Sequence, residues 1–166
     1  MLSHTAHAVS PTPPVVPPVP AKAEPQLVVE SRFGTIVVDG ASRVTFPQGL
    51  LGFSDFHAFG LAALPDGRHP QFRVLQSLED ASLAFLVAPL NVDSGAISTE
   101  DLTEACTTLG IVREDLAVLL IVTVRREDNA AQVSVNLRAP VFVDSCRRVA
   151  RQYVLPNARY AIRHPL

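Results

Sequence analysis

The chain has 166 residues, of which 48% are hydrophobic and 18% are charged, and its formal net charge is −2 at pH 7. An intrinsically disordered protein would be poor in apolar residues, so the composition excludes a wholly disordered chain. A general nucleic-acid binder would be basic, so the net charge argues against that class. The length predicts one domain. The cysteines, Cys106 and Cys146, form no CxxC pair, so the sequence predicts neither a disulfide framework nor a structural zinc site.

Proline is concentrated at the N-terminus, where residues 1–25 hold half of the fourteen prolines. Proline fixes φ and lacks a backbone N–H, so such a stretch can neither continue a helix nor join a sheet ladder. We therefore predict a disordered, proline-rich tail over residues 1–25 and a folded domain over residues 26–166. The PxxP spacings of the tail leave open a role as a peptide ligand beside that of a plain extension.

Most of the domain has the pattern of short strands. Apolar and β-branched runs separated by turn residues are typical of a sandwich or a barrel. Continuous apolar runs at 83–88 and 117–124 predict strands that are buried on both faces or are central in a closed sheet. We therefore predict a mainly β fold, a small antiparallel β-barrel-like domain. The predicted strands are 27–30, 33–38, 43–46, 56–64, 71–77, 83–88, 117–124, 133–137, 141–143, 151–155 and 160–163.

One short helix is predicted at about residues 98–109. Ser98 has the side chain of a good N-cap, and Asp101 stands three residues later, as in a capping box. Apolar residues then recur at i, i+4 and i+7, and this stripe includes Cys106. Gly110 fits the position after the helix, where positive φ is often needed. Cys106 is therefore predicted to be a small core residue.

A tight turn is predicted within residues 46–53. Pro47 ends the preceding strand, and two glycines, Gly49 and Gly52, allow positive φ. The turn also carries three large apolar side chains, Leu50, Leu51 and Phe53. These side chains either fill the core or are displayed as anchors for a partner, and the sequence leaves both open.

The chain contains no motif that would identify an enzyme. It has no GxSxG, Walker A, GxGxxG or HExxH sequence, and its five histidines are scattered. We therefore predict no catalysis, no cofactor and no metal. A hydrolase whose site is assembled from distant residues is the alternative that a motif search cannot exclude.

The charges are segregated along the chain. Residues 79–115 carry eight acids and one base, whereas residues 138–166 carry six arginines and one acid. Three interpretations follow. The two segments neutralise each other in the fold, or the acidic segment steers a basic protein partner, or the C-terminal arginines form an RNA-binding edge.

Five ordered blocks of sequence resemble the FliW family of flagellar assembly factors. They are VTFPQGLLGF at 44–53, LQSLEDASLAF at 75–85, IVT at 121–123, NLRAP at 136–140 and YAIRHPL at 160–166. The chain departs from the family pattern at Asp144, where asparagine is usual, and at Ala150, where glycine is common. Both positions affect a turn near the C-terminus, so partner contacts at that turn are not carried over.

The resemblance implies a small β-rich adaptor that binds two proteins. One is flagellin, for which it would act as a chaperone-like partner, and the other is the carbon storage regulator CsrA, a repressor of translation. We expect a cytoplasmic protein that is a monomer when free and binds neither nucleic acid nor membranes directly. The candidate protein-binding residues, all within the matched blocks, are Phe53, Gln76, Glu79, Asp80 and Asn136.

Overall fold

The computed structural model describes residues 24–127 and 130–166, so the predicted disordered tail lies almost wholly outside the described residues. Within these ranges the chain forms eleven β-strands and one α-helix. In chain order the elements are β1 (Leu27–Ser31), β2 (Gly34–Val38), β3 (Arg43–Thr45), β4 (Ala58–Ala63), β5 (Arg73–Ser77), β6 (Ala84–Leu90), α1 (Thr99–Leu109), β7 (Leu116–Glu127), β8 (Ala130–Val135), β9 (Val141–Asp144), β10 (Val149–Gln152) and β11 (His164–Pro165).

Seven of the strands are joined in a closed circuit, which we call the ring. Its order is β7–β6–β5–β4–β3–β10–β9, and the pairing of β9 with the start of β7 closes it. The predicted mainly β fold is therefore confirmed. One pair, β3 with β10, is parallel, which differs from the predicted antiparallel arrangement. An odd number of strands cannot alternate in direction around a closed circuit, so at least one pair in the ring must be parallel.

Aromatic and aliphatic side chains form a core on the inner face of the ring. Phe46 and Phe59 are fully buried and meet edge to face, with ring centroids 5.0 Å apart. Leu75, Val87 and Leu119 belong to the same buried cluster. Alternation along each strand directs these residues inward, which leaves the opposite faces of the strands to be covered by other elements.

The helix α1 covers one outer face of the ring. Leu102 is fully buried and packs in a cluster with residues of β7, and Cys106 is 6% exposed. The Ser98 side chain accepts a hydrogen bond from the Asp101 N–H, and Gly110 has φ 67°, so both predicted ends of the helix are confirmed. The prediction of Cys106 as a core residue is also confirmed.

The hairpin of β1 and β2 covers another face of the ring by packing on β4 and β5. Ile36 and Val38 are buried there against Ala62 and Val74. Gly60 makes this close approach possible, because an added Cβ would lie 2.3 Å from Cγ1 of Val38. The hairpin therefore packs against the backbone of β4.

Two predicted strands near the C-terminus are wrong in position. The segment 151–155 was predicted as a strand, but β10 runs from Val149 to Gln152, and the chain then turns towards Pro156. The segment 160–163 is not a strand, and the short β11 follows it. The physical reason is a tertiary contact that local pattern does not encode: the hydroxyl of buried Tyr160 bonds to the N-terminus of α1.

Candidate protein-binding surface

Three loops meet at one end of the ring, which we call the ring end. Residues 46–57 join β3 to β4, residues 78–83 join β5 to β6, and residues 136–140 join β8 to β9. Because β3, β4, β5 and β6 are successively antiparallel, the first two loops must emerge at the same end. All five candidate residues lie in these loops or, in the case of Gln76, next to one.

The turn before Phe53 has the backbone that its glycines predicted. Gly49 has φ 65° and Gly52 has φ 84°. A Cβ on Gly49 would lie 2.4 Å from the carbonyl oxygen of Phe53, so only glycine fits this position. The Phe53 N–H donates to the Leu50 carbonyl at 2.8 Å, which closes the turn. Phe53 is thus presented from a rigid loop.

The three apolar residues of this turn divide between core and surface. Leu50 is 2% exposed and belongs to the core inside the ring, whereas Leu51 is 57% exposed and Phe53 is 37% exposed. The Phe53 ring meets Phe85 of β6 edge to face at 5.1 Å between centroids. An exposed apolar pair, Leu51 and Phe53, therefore lies at the ring end with one aromatic ring fixed by its neighbour.

Glu79 ties two of these loops together. Its Oε2 accepts hydrogen bonds from the N–H groups of His57, at 2.5 Å, and Ala58, at 2.8 Å. These backbone hydrogen bonds, that from Ala58 foremost, hold the pKa of the Glu79 carboxyl below its ordinary value. The side chain therefore stays ionised at neutral pH while it holds the start of β4.

Asp80 is also ionised and has a local partner. Its Oδ1 accepts from the hydroxyl of Ser82 at 2.7 Å and from the Ser82 N–H at 2.8 Å, and these bonds lower the pKa of the carboxyl. The Ser77 hydroxyl oxygen accepts from the N–H groups of both Glu79 and Asp80. The loop thus presents two adjacent negative charges on a fixed backbone.

Gln76 lies beneath this loop. Its side chain is fully buried, and its amide nitrogen lies 3.0 to 3.3 Å from four backbone oxygens. The carbonyl groups of Ser77, Asp80, Ala81 and Leu83 share the two hydrogens of this nitrogen. Gln76 therefore shapes the loop that carries Glu79 and Asp80, and its side chain does not reach the surface.

Asn136 forms the turn of the third loop. Its Oδ1 accepts from the N–H groups of Arg138 and Ala139, both at 3.0 Å. Gln152, which no sequence motif had singled out, then links this loop to the first one. It accepts from the Leu51 N–H at 3.0 Å and donates to the Ala139 carbonyl at 3.0 Å. The loops around Phe53 and Asn136 are thereby braced against each other.

The acidic segment 79–115 does not form a single surface. Glu79 and Asp80 precede β6, whereas Asp93 follows it, so a strand of about 20 Å at about 3.3 Å per residue separates them. Glu100 and Glu104 lie on the exposed part of α1. Only Glu79 and Asp80 of this segment belong to the ring end.

Five of the six C-terminal arginines are engaged within the chain. Arg159 forms an ion pair with Asp101 at 3.1 Å, and Arg148 forms one with Glu24 at 2.8 Å. Others donate to backbone oxygens, two of them at the C-terminus of α1. The partners are Asn157 for Arg138, Asp144 and Gly110 for Arg147, Glu24 and Gly40 for Arg148, Leu109 for Arg151, and Asp101 for Arg159.

The described ranges, 24–127 and 130–166, hold no cluster of three or more His, Cys, Asp or Glu residues that could bind a metal ion. Across the same residues, no helix has the length and apolar character needed to cross a membrane. The ring end is thus an assembly of backbone-braced loops whose exposed features are an apolar pair and two carboxylates. Such features suit contact with another protein.

Comparison with known proteins gives one consistent result. The family model for the FliW protein matches residues 27–166. The flagellar assembly factor FliW of Geobacter sulfurreducens is 34% identical over 138 residues, which cover 83% of this chain and 84% of that protein. The FliW of Desulfitobacterium hafniense is 34% identical over 142 residues, covering 84% of this chain and 90% of that one. A crystal structure of the flagellar assembly factor FliW superimposes with a TM-score of 0.64 at 27% identity, over 85% of this chain and 96% of that chain. The chain therefore belongs to the FliW family of flagellar assembly factors.

Proposed function

We propose that this protein is an adaptor that binds flagellin as a chaperone-like partner and binds the repressor CsrA to relieve its repression. It acts by occupancy and not by catalysis. The observation that carries the proposal is the ring end, where an exposed apolar pair and two ionised carboxylates sit on loops within the blocks that resemble FliW proteins. The level of free flagellin would then set how much CsrA remains active.

Flagellin would contact the apolar part of the ring end, around Leu51 and Phe53. Buried aromatic anchors dominate the energy of protein interfaces, and Phe53 already has its ring orientation fixed by Phe85. An unassembled flagellin has disordered, amphipathic ends, which lose entropy when they fold onto a partner. Because the Phe53 ring is already held in place, only the flagellin segment would lose conformational entropy when the complex forms.

CsrA would contact the acidic part of the ring end. Glu79 and Asp80 keep their charge at neutral pH because hydrogen bonds to the carboxylates lower both pKa values. Fixed negative charges raise the association rate with a basic surface, and salt weakens the effect. We therefore assign the acidic contact to these two residues and not to the whole segment 79–115.

Gln76 and Asn136 would contribute to both contacts indirectly. Gln76 is buried and holds the loop of Glu79 and Asp80, and Asn136 forms a turn linked through Gln152 to Leu51. Because Glu79 is hydrogen-bonded to His57, the acidic and apolar parts of the ring end are directly joined. Two partners on such adjacent parts would exclude each other.

The test is binding of purified flagellin to matched variants of the full chain. We expect Leu51→Ser and Phe53→Ser to weaken flagellin binding about tenfold or more, since each removes an apolar anchor. Val37→Ser is the control, because Val37 is 50% exposed on the hairpin, away from the ring end. Unfolding midpoints of the three variants show whether each one folds. Flagellin binding that is equal in all folded variants would contradict the assignment.

The competing function is RNA binding through the C-terminal arginines. The structure gives it little support, because five of those six arginines are engaged in contacts within the chain. A gel-shift assay with the purified protein alone separates the two functions. The adaptor shifts no RNA by itself and changes RNA mobility only when CsrA is present, whereas an RNA-binding protein needs no CsrA.

A further inference from the structure

The strands β7 and β8 continue beyond the ring as a two-stranded ribbon. β6 pairs with β7 only over Val118–Ile121, while β8 pairs with β7 over Val122–Glu127. Within residues 24–127 and 130–166, no strand pairs with Val124–Glu127 on the side opposite to β8. We call this side of β7 the open edge.

The backbone groups that face the open edge follow from the hydrogen bonds on the other side. The Asn136 N–H donates to the Ile121 carbonyl at 3.0 Å, so the backbone of Ile121 faces β8. In an antiparallel ladder, successive residues face alternate sides, which directs Val124 and Arg126 away from β8. Val133 of β8 lies opposite Val124, and its carbonyl accepts from the Leu166 N–H, which lies on the side of β8 away from β7. The backbone of Val133 therefore faces away from β7, as this alternation requires.

One face of the open edge is apolar and basic. Val124 and Arg126 share this face, because side chains alternate along a strand, whereas Arg125 and Glu127 share the other face with opposite charges. The β8 residues opposite Val124 and Arg126 are Val133 and Ala131, which carry no charge. Val124 is 52% exposed, and Arg126 forms no ion pair within the described ranges of the chain. This face of the edge therefore combines free strand-pairing groups with one apolar and one positively charged side chain.

We propose that the open edge of β7 binds an acidic, extended segment of a partner protein, which adds to the ribbon as a further strand. Strand addition matches alternating N–H and C=O groups, and an acidic side chain of the partner matches Arg126. Nucleic acid fits less well, since phosphates accept hydrogen bonds and cannot satisfy the carbonyl groups of the edge. A second copy of the chain fits less well too, because charged residues on an edge oppose self-pairing. The surface uses none of the ring-end residues and does not depend on the proposed function.

A short fluorescein-labelled peptide of alternating valine and glutamate is the probe, and its anisotropy is measured with the full chain. Val124→Pro removes one N–H of the open edge, a change that edge strands tolerate, and Arg126→Glu reverses one charge. Arg68→Glu is the control for charge, because Arg68 is exposed in a distant turn. The same peptide with alternate backbone nitrogens methylated is the control for strand pairing.

We expect binding to weaken about tenfold or more with Val124→Pro, with Arg126→Glu and with the methylated peptide. Binding should persist with Arg68→Glu. Should Val124→Pro fail to fold, Arg126→Glu and the methylated peptide still decide the question. Equal binding of the methylated peptide would overturn the proposal. Absence of peptide binding at concentrations on the order of 100 µM would also overturn it. A third contrary result is that a labelled oligouridine binds, loses its binding with Arg126→Glu, and the acidic peptide does not bind.

Discussion

The contact between Gly60 of β4 and Val38 of β2 allows a quantitative test of how the hairpin packs on the ring. A methyl group on Gly60 would lie 2.3 Å from Cγ1 and 2.8 Å from Cγ2 of Val38, which is fully buried. Neither side can move freely, because Val38 packs in a buried cluster. Overpacking of this kind costs about 1–3 kcal/mol, and the short distances place Gly60→Ala near the upper end.

The complementary change, Val38→Ala, removes the two methyl groups that cause the clash. Loss of their burial, with the cavity that remains, costs about 2–3 kcal/mol. In the double variant, the methyl group introduced by Gly60→Ala fills part of that cavity, and its closest contact on residue 38 is then Cβ at 3.1 Å, which a small shift of the hairpin relieves. We therefore expect the double variant to lose about 2–3 kcal/mol, where additive single changes would lose about 4–6 kcal/mol.

Urea unfolding followed by circular dichroism measures these free energies of unfolding for the four proteins of the cycle. The control cycle pairs Val38→Ala with Leu102→Ala, because Leu102 belongs to the separate core under α1. That cycle should be additive within about 0.5 kcal/mol. Equal additivity for Gly60→Ala and Val38→Ala would refute the close packing of the hairpin on β4.

Three further predictions concern single side chains. Because the pKa of Glu79 is lowered from its ordinary value of 4.5, its ionised form stabilises the fold above that value, and the gain is lost as the pH falls through the folded pKa. Glu79→Gln should therefore lower the urea midpoint at pH 7 but hardly change it at low pH. The control, Glu104→Gln on the exposed face of α1, should leave the urea midpoint unchanged at both pH values. Tyr160→Phe should cost about 1–2 kcal/mol in free energy of unfolding, since it leaves the partly buried Ser98 N–H without its partner and removes one hydrogen bond to the Asp101 carboxylate. A thiol reagent should label exposed Cys146 in the native protein and Cys106 only in urea, because burial raises the pKa of the Cys106 thiol and hides it.

Local sequence signals predicted the elements that depend on local physics. The helix followed from its N-cap Ser98, its apolar stripe and Gly110, and the turn before Phe53 followed from Gly49 and Gly52. These features depend on backbone conformation and capping within a few residues, so the sequence encodes them directly. The five FliW-like blocks likewise predicted the family.

Features that depend on distant contacts were not predictable in this way. The pairing of β9 with the start of β7 and the parallel pair of β3 with β10 join segments far apart in the chain. The acidic segment looked like one surface because its charges are close in sequence, but β6 carries Asp80 and Asp93 to opposite ends. Gln76 was predicted to contact a partner, yet its side chain is buried beneath a loop. No sequence motif marks Gln152, because its role depends on two hydrogen bonds to residues far away in the chain.

We propose that one surface, the ring end, serves both partners in turn. The most direct measurement is competition: a preformed complex of the full chain with labelled CsrA is titrated with monomeric flagellin, and the free CsrA is followed. We expect flagellin to displace CsrA, and we expect Phe53→Ser to raise the flagellin concentration needed by about tenfold. A stable complex of all three proteins, or no association with either partner at micromolar concentrations, would contradict it.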